Sequence, residues 1–133
     1  MGQVEEVKEV PEDYKLFFEY LKDSMAASYM FRDLLQEISY MTWASDKFDG
    51  SEKTAILQVL GQIEEDYNLI VGAVGTTEMV LQEHLEMFDN LRIEAVKELI
   101  IVAKGLKDNW AYSWIFERLD KIQKKLHEAI EDF

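Results

Sequence analysis

The sequence has no cysteine, a single proline and only two histidines among 133 residues, and each shortage removes a class of function. Without cysteine there is no disulfide framework, no thiolate nucleophile and no cysteine-ligated zinc, iron or haem centre. Cations are scarce as well. Fourteen Lys and Arg stand against 27 Asp and Glu, a formal charge of -13 with an isoelectric point near 4.5. Such a chain repels phosphate backbones and anionic lipid, so neither direct nucleic-acid binding nor membrane binding is expected. Long apolar runs are missing too. The densest, Leu99 to Ala103, is closed off by Lys97, Glu98 and Lys104, far short of the roughly 20 residues a membrane span needs. Met1 to Val10 carries Glu5, Glu6 and Glu9 and no apolar stretch, unlike a secretory signal. A cytoplasmic protein is expected, with a flexible acidic N-terminus over residues 1–10 and one domain over 11–133.

What the sequence does have is helical periodicity. Ile56, Leu60, Ile63, Tyr67, Ile70, Val74, Thr77, Leu81, His84 and Phe88 recur at steps of four and three. At about 3.6 residues per turn that spacing lines one face of a helix. The seam holds its phase past Gly72 and Gly75, which predicts a continuous helix from about Glu52 to Phe88. Glycine is unfavourable in a helix interior by about 1 kcal/mol, so close approach to Ser24, Ala27 and Ser28 is the expected reason for the pair.

A first helix is predicted from Pro11, whose missing N–H is tolerated in an opening turn, to Phe48. Its seam runs through Phe31, Leu34, Ile38, Met41, Ser45 and Phe48. Asp49-Gly50 reads as a turn, with Ser51 as the next cap. Asp89-Asn90 is expected to end the second helix and open a third, with Ala95, Val96, Leu99, Val102, Ala103 and Leu106 facing inward and Gly105 as its C-terminal glycine. The pattern resumes as Tyr112, Ile115, Leu119, Ile122, Leu126, Ala129 and Phe133, so 91–131 is either one kinked helix or two. No alternating segment suggests a strand. The fold expected is all-α, an antiparallel three- or four-helix bundle built on a long helical hairpin.

Bundles often hold metals, yet neither His84 nor His127 has the glutamate three residues earlier that a ferritin-like site requires. No serine sits in a nucleophile motif and no glycine pattern suits a nucleotide. The chain is therefore expected not to be an enzyme and to need no cofactor. His84 and Thr77 form a polar site on the seam, which leaves a metal or small-ligand carrier as one alternative.

Apolar residues exceed what one seam per helix can bury. Phe18, Met25, Tyr29 and Tyr40 make a second stripe on the first helix, and Trp110, Tyr112, Trp114, Ile115 and Phe116 crowd the last break. Tyr and Trp concentrate at binding hot spots. The expected function is a non-enzymatic protein-interaction module, partnering itself or another protein through Phe18, Met25 and Tyr29 or through Trp110, Tyr112 and Trp114. Glu64, Glu65, Asp66, Glu83 and Glu86 belong to an acidic outer face. Such a row solvates the protein, or, in a second alternative, imitates nucleic-acid phosphates in the basic groove of a nucleic-acid-binding protein.

Overall fold

The computed structural model describes residues 24–76 and 82–131, with side chains described over 28–72 and 86–131. Four helices account for most of them: α1 (Ser24–Ala44), α2 (Gly50–Thr76), α3 (Gln82–Lys107) and α4 (Tyr112–Ile130). No strand occurs among the described residues, and the fold is all-α.

The seams do the packing. Ile56, Leu60, Ile63, Tyr67 and Ile70 of α2 are buried, as are Ile115, Leu119, Ile122, Leu126 and Ala129 of α4 and Ala95, Val96, Leu99, Val102 and Ala103 of α3. Each large aliphatic side chain removed from water contributes roughly 1.5–3 kcal/mol, which is what holds otherwise marginal helices in place. Helix α2 lies against α4 and α1 against α3, with further contact between α3 and α4 and between α1 and α2. Ser28 meets Tyr67 at one end of the α1–α2 pair and Trp43 meets Lys53 at the other, so these two helices run in opposite directions.

The long second helix is corrected. The rings of Tyr67 and Phe88 lie 5.9 Å apart, whereas 21 residues of continuous helix would separate them by about 31 Å. The chain therefore reverses between Thr76 and Gln82, and the seam that seemed continuous belongs to two helices facing one core. Asp89-Asn90 is not the break: α3 passes through it, because the Asp89 carboxylate accepts a 2.6 Å hydrogen bond from Arg92 one turn on instead of capping. Of the glycine pair expected to allow close approach, Gly72 is exposed and an added Cβ there would meet nothing described within 4 Å, while the surroundings of Gly75 and the side chains of Ser24 and Ala27 lie outside the described residues.

Helix α1 stops at Ala44 rather than at Phe48. Phe48 is buried all the same, from the turn after α1, with its ring 6.3 Å from Tyr112. The cap of α2 is Asp49 and not Ser51. Asp49 Oδ1 accepts hydrogen bonds from the Glu52 N–H and the Ser51 hydroxyl, while Glu52 Oε1 accepts from the Asp49 N–H. This reciprocal capping box satisfies N–H groups that the first helical turn would otherwise leave unpaired.

Residues 91–131 form two helices. Helix α3 ends without a glycine in the left-handed region; Asn109 takes that conformation at φ 60°. The Trp110 N–H donates to the Gly105 carbonyl at 2.9 Å and the Asn109 N–H to the Leu106 carbonyl at 3.2 Å. The pair is a Schellman closure with Asn at the position glycine usually holds. Gly105 is needed for space instead: an added Cβ would sit 2.4 Å from Cε3 of Trp110, whose ring lies over that turn.

Candidate functional site

Helix α1 has two faces of opposite character. Phe31, Leu35, Ile38 and Thr42 are buried. On the opposite side Tyr29, Tyr40 and Trp43 are 62%, 72% and 69% exposed. At about 100° per residue these three and Arg32 and Gln36 between them fall within an arc of roughly 80°. Among the described residues the only other large apolar side chain this exposed is Leu69 on α2. An isolated exposed Leu is ordinary. Three aromatic rings gathered on one outward helix face are not, and such patches mark interaction surfaces.

Trp43 was missed by the sequence reading. Its signal was available, since 29, 32, 36, 40 and 43 obey the same three-and-four spacing as the buried seam. The Trp43 carbonyl accepts a 2.9 Å hydrogen bond from Lys53 Nζ, which also stands 5.9 Å from the indole centroid. The backbone at this end of α1 is thus tied to α2 while the ring stays in solvent. Beside it, Tyr40, Met41, Ser45, Lys47, Leu106 and Asn109 line a shallow open groove, across which Lys47 Nζ donates to the Asn109 carbonyl.

The second aromatic group expected to meet partners is partly covered by the protein itself. Trp110, Tyr112, Trp114 and Phe116 are all half-buried and Ile115 is fully buried. Trp110 covers Gly105, meets Trp114 edge-on with centroids 6.1 Å apart, and has the Arg118 guanidinium 5.9 Å from its centroid. Arg118 is itself held by Glu98 on α3 at 2.9 Å. Tyr112 stacks on Phe116 and touches Phe48. These rings close the end of the molecule where the 45–49 and 108–111 turns meet.

The acidic face is corrected at one position. Glu64, Glu65 and Glu86 are exposed, but Asp66 is 1% exposed. It points between α2 and α4, where Gln62 Nε2 donates to Oδ1 at 2.8 Å and Gln123 Nε2 to Oδ2 at 3.1 Å, with His127 Nδ1 3.7 Å away. A buried carboxylate is tolerated only when its oxygens are satisfied, and two amides from facing helices do this. Asp66 fixes how α2 sits on α4. A second buried polar group lies at the opposite end of the α1–α2 pair from Trp43. Tyr67 OH and Ser28 Oγ share a 2.9 Å hydrogen bond, the Tyr67 ring stacks on Phe31, and the buried Arg92 guanidinium lies 4.8 Å above Phe88.

Phe18 and Thr77 lie outside the described residues, as do the side chains of Met25, Glu83 and His84. No group of three His, Asp or Glu side chains able to hold a metal gathers among the described residues. No described helix is long and apolar enough to cross a membrane. Comparison with protein families, curated proteins and solved structures finds no match for this chain.

Proposed function

We propose that this chain is a non-enzymatic protein-interaction module, an antiparallel four-helix bundle built on the α1–α2 hairpin that presents the outer face of α1 to a partner and associates with itself. The observation that carries the reading is the exposure of Tyr29, Tyr40 and Trp43 on one helix face while the remaining described Tyr, Trp and Phe are covered or half-covered. Tyr and Trp offer large contact areas for the ordering of only two side-chain torsions, which suits them to a docking surface. Two polar contacts between helices have structural work: the buried Asp66 joins α2 to α4, and the half-buried Ser28 joins α1 to α2.

The test is removal of the rings without disturbance of the core. Tyr40→Ala with Trp43→Ala should leave circular dichroism and thermal unfolding close to the parent. It should abolish concentration-dependent association in sedimentation velocity. If the parent and the double variant associate to the same degree, or neither associates with any protein of the native host, the reading fails. Salt separates it from an acidic mimic of nucleic acid acting through Glu64 and Glu65: binding to a basic partner weakens as salt is added, whereas contact between aromatic faces of acidic chains does not.

A further inference from the structure

The polar bridge between α2 and α4 has the donor spacing of a metal site. Asp66 Oδ2 on α2 stands 3.7 Å from His127 Nδ1 and 3.1 Å from Gln123 Nε2, both on α4. Gln123 and His127 are one helical turn apart, so the two side chains reach Asp66 from the same face of α4. Around a tetrahedral ion with bonds of about 2.0–2.1 Å, donor atoms stand about 3.3–3.4 Å from one another. Both separations from Oδ2 thus lie within about 0.4 Å of coordination spacing with neither helix moved.

Asp66 and His127 are groups of the kind that ligate metals, and they come from different helices. The third donor is an amide. Rotated end for end, the Gln123 amide places Oε1 where Nε2 now stands. Its hydrogen bond to Asp66 is then exchanged for a bond to the ion, and the ion takes over neutralisation of the carboxylate. Asp66 Oδ1 keeps its 2.8 Å bond from Gln62 on its own helix, an outer contact of the sort that orients a ligating carboxylate.

The surroundings favour a cation. His127 falls in the last turn of α4, the negative end of that helix's dipole, and a formal charge of -13 draws cations to the protein as a whole. The His127 side chain is mostly exposed while Asp66 is buried, so an ion arrives from solvent on the imidazole side and keeps a water as its fourth ligand. Lys124, three residues before His127, is turned toward Asp120 at 3.0 Å. An imidazole in the set selects zinc-class dications over magnesium and calcium, which take shells of oxygen.

We infer that Asp66, Gln123 and His127 form a binding site for a zinc-class divalent cation that clasps α2 to α4. The site shares no residue with the outer face of α1, so the two stand or fall separately. With three protein ligands, one of them an amide, it is weaker than a closed structural zinc centre, and its dissociation constant should be about micromolar or above.

Calorimetric titration of the full-length chain with zinc chloride should show one site that magnesium and calcium do not fill. His127→Ala should weaken zinc binding at least about tenfold and leave the zinc-free fold intact, and Gln123→Ala should weaken it less. Zinc should raise the melting temperature of the parent but not of His127→Ala. His84→Ala, at the only other histidine, should leave the titration unchanged. Nitrogen-15 NMR of the imidazole identifies the ligating atom: the geometry places zinc on Nδ1, whereas an ion caught by an exposed histidine alone has no carboxylate to draw it there. The site is overturned if zinc at millimolar concentration does not bind, or if it binds the parent and His127→Ala equally. Coordination through Nε2, or zinc binding by a folded Asp66→Asn variant as tight as the parent's, overturns it as well and leaves an adventitious ion only.

Discussion

Two regions of this molecule carry Tyr and Trp in similar density, and the structure treats them in opposite ways. Around the last turn, Trp110 has Gly105 beneath it, Trp114 beside it and Arg118 over it. On the outer face of α1, Tyr29, Tyr40 and Trp43 stay mostly exposed, and of the described contacts only Lys53 Nζ, 5.9 Å from the Trp43 centroid, stands over one of these rings. The difference lies in what stands opposite each ring. The 108–111 turn folds the chain back so that one aromatic segment lies on the preceding helix, while the α1 face is turned away from α2 and α3, the two described helices that α1 packs against. Aromatic density alone does not tell which rings the fold covers; the direction each group faces relative to the core does.

The contrast is broken most directly by truncating one ring from each region. Trp110→Ala removes a half-buried indole and the lid over Gly105, and should lower stability by about 2–3 kcal/mol, near the bottom of the range for large aromatic truncations. Trp43→Ala should change the stability of the isolated monomer by no more than about 0.5 kcal/mol. Urea unfolding of both variants at low protein concentration checks this. Equal losses would erase the distinction.

Smaller changes sharpen it. Gly105→Ala gains about 1 kcal/mol of helix propensity but drives a methyl into the Trp110 ring, 2.4 Å from Cε3 and 2.6 Å from Cδ2. Displacing the indole should outweigh the gain and leave a net loss of about 1–2 kcal/mol, with a shift in tryptophan emission. Gly61→Ala, on an open face of α2, should instead raise stability by up to about 1 kcal/mol. Thermal melts of the pair should therefore move in opposite directions. Ala111 stands at the N-cap of α4 with φ -64° and ψ 151° and no capping side chain. Ala111→Asp should add about 0.5–1 kcal/mol without altering association through α1.

The smallest effect concerns the cap of α2. Hydrogen bonds from the Glu52 N–H, and then from the Ser51 hydroxyl, hold the Asp49 carboxyl below its usual value of 3.8. A carboxyl lowered in the folded state contributes stability above its unfolded pKa, and that contribution is lost as pH falls through the folded value. Asp49→Ala should therefore be less stable than the parent at neutral pH. The gap should close below about pH 4. A gap that persists into strong acid would show that Asp49 acts through something other than its charge.

Much of the fold was legible because helical periodicity is local. Ile56 to Ile70 and Ile115 to Ala129 announce which side of each helix is dry, and both stripes are buried. The reversal between Thr76 and Gln82 was not legible, since Val74, Thr77 and Leu81 fit a continuous seam and two helices facing the same core share a phase by coincidence. Asp89-Asn90 resembled a break for the opposite reason: it has turn composition, but Arg92 one turn on supplies a partner for the Asp89 carboxylate. The burial of Asp66 could not be read from its acidic neighbours Glu64 and Glu65, because its amide partner Gln123 comes from a helix 57 residues away. Of the aromatic face, Tyr29 and Tyr40 stood out as a second stripe; Trp43 did not.

By itself the sequence determined an all-α protein, the dry stripe along most of its helices, the acidity of its surface and the presence of more aromatic residues than its seams can bury. Tertiary structure decided where the chain turns back, which carboxylate leaves water and which aromatic group is covered. The division has one physical cause. A side chain's place around its own helix follows from the near-constant rotation per residue, whereas what it meets there depends on residues distant in the chain and brought near only by packing.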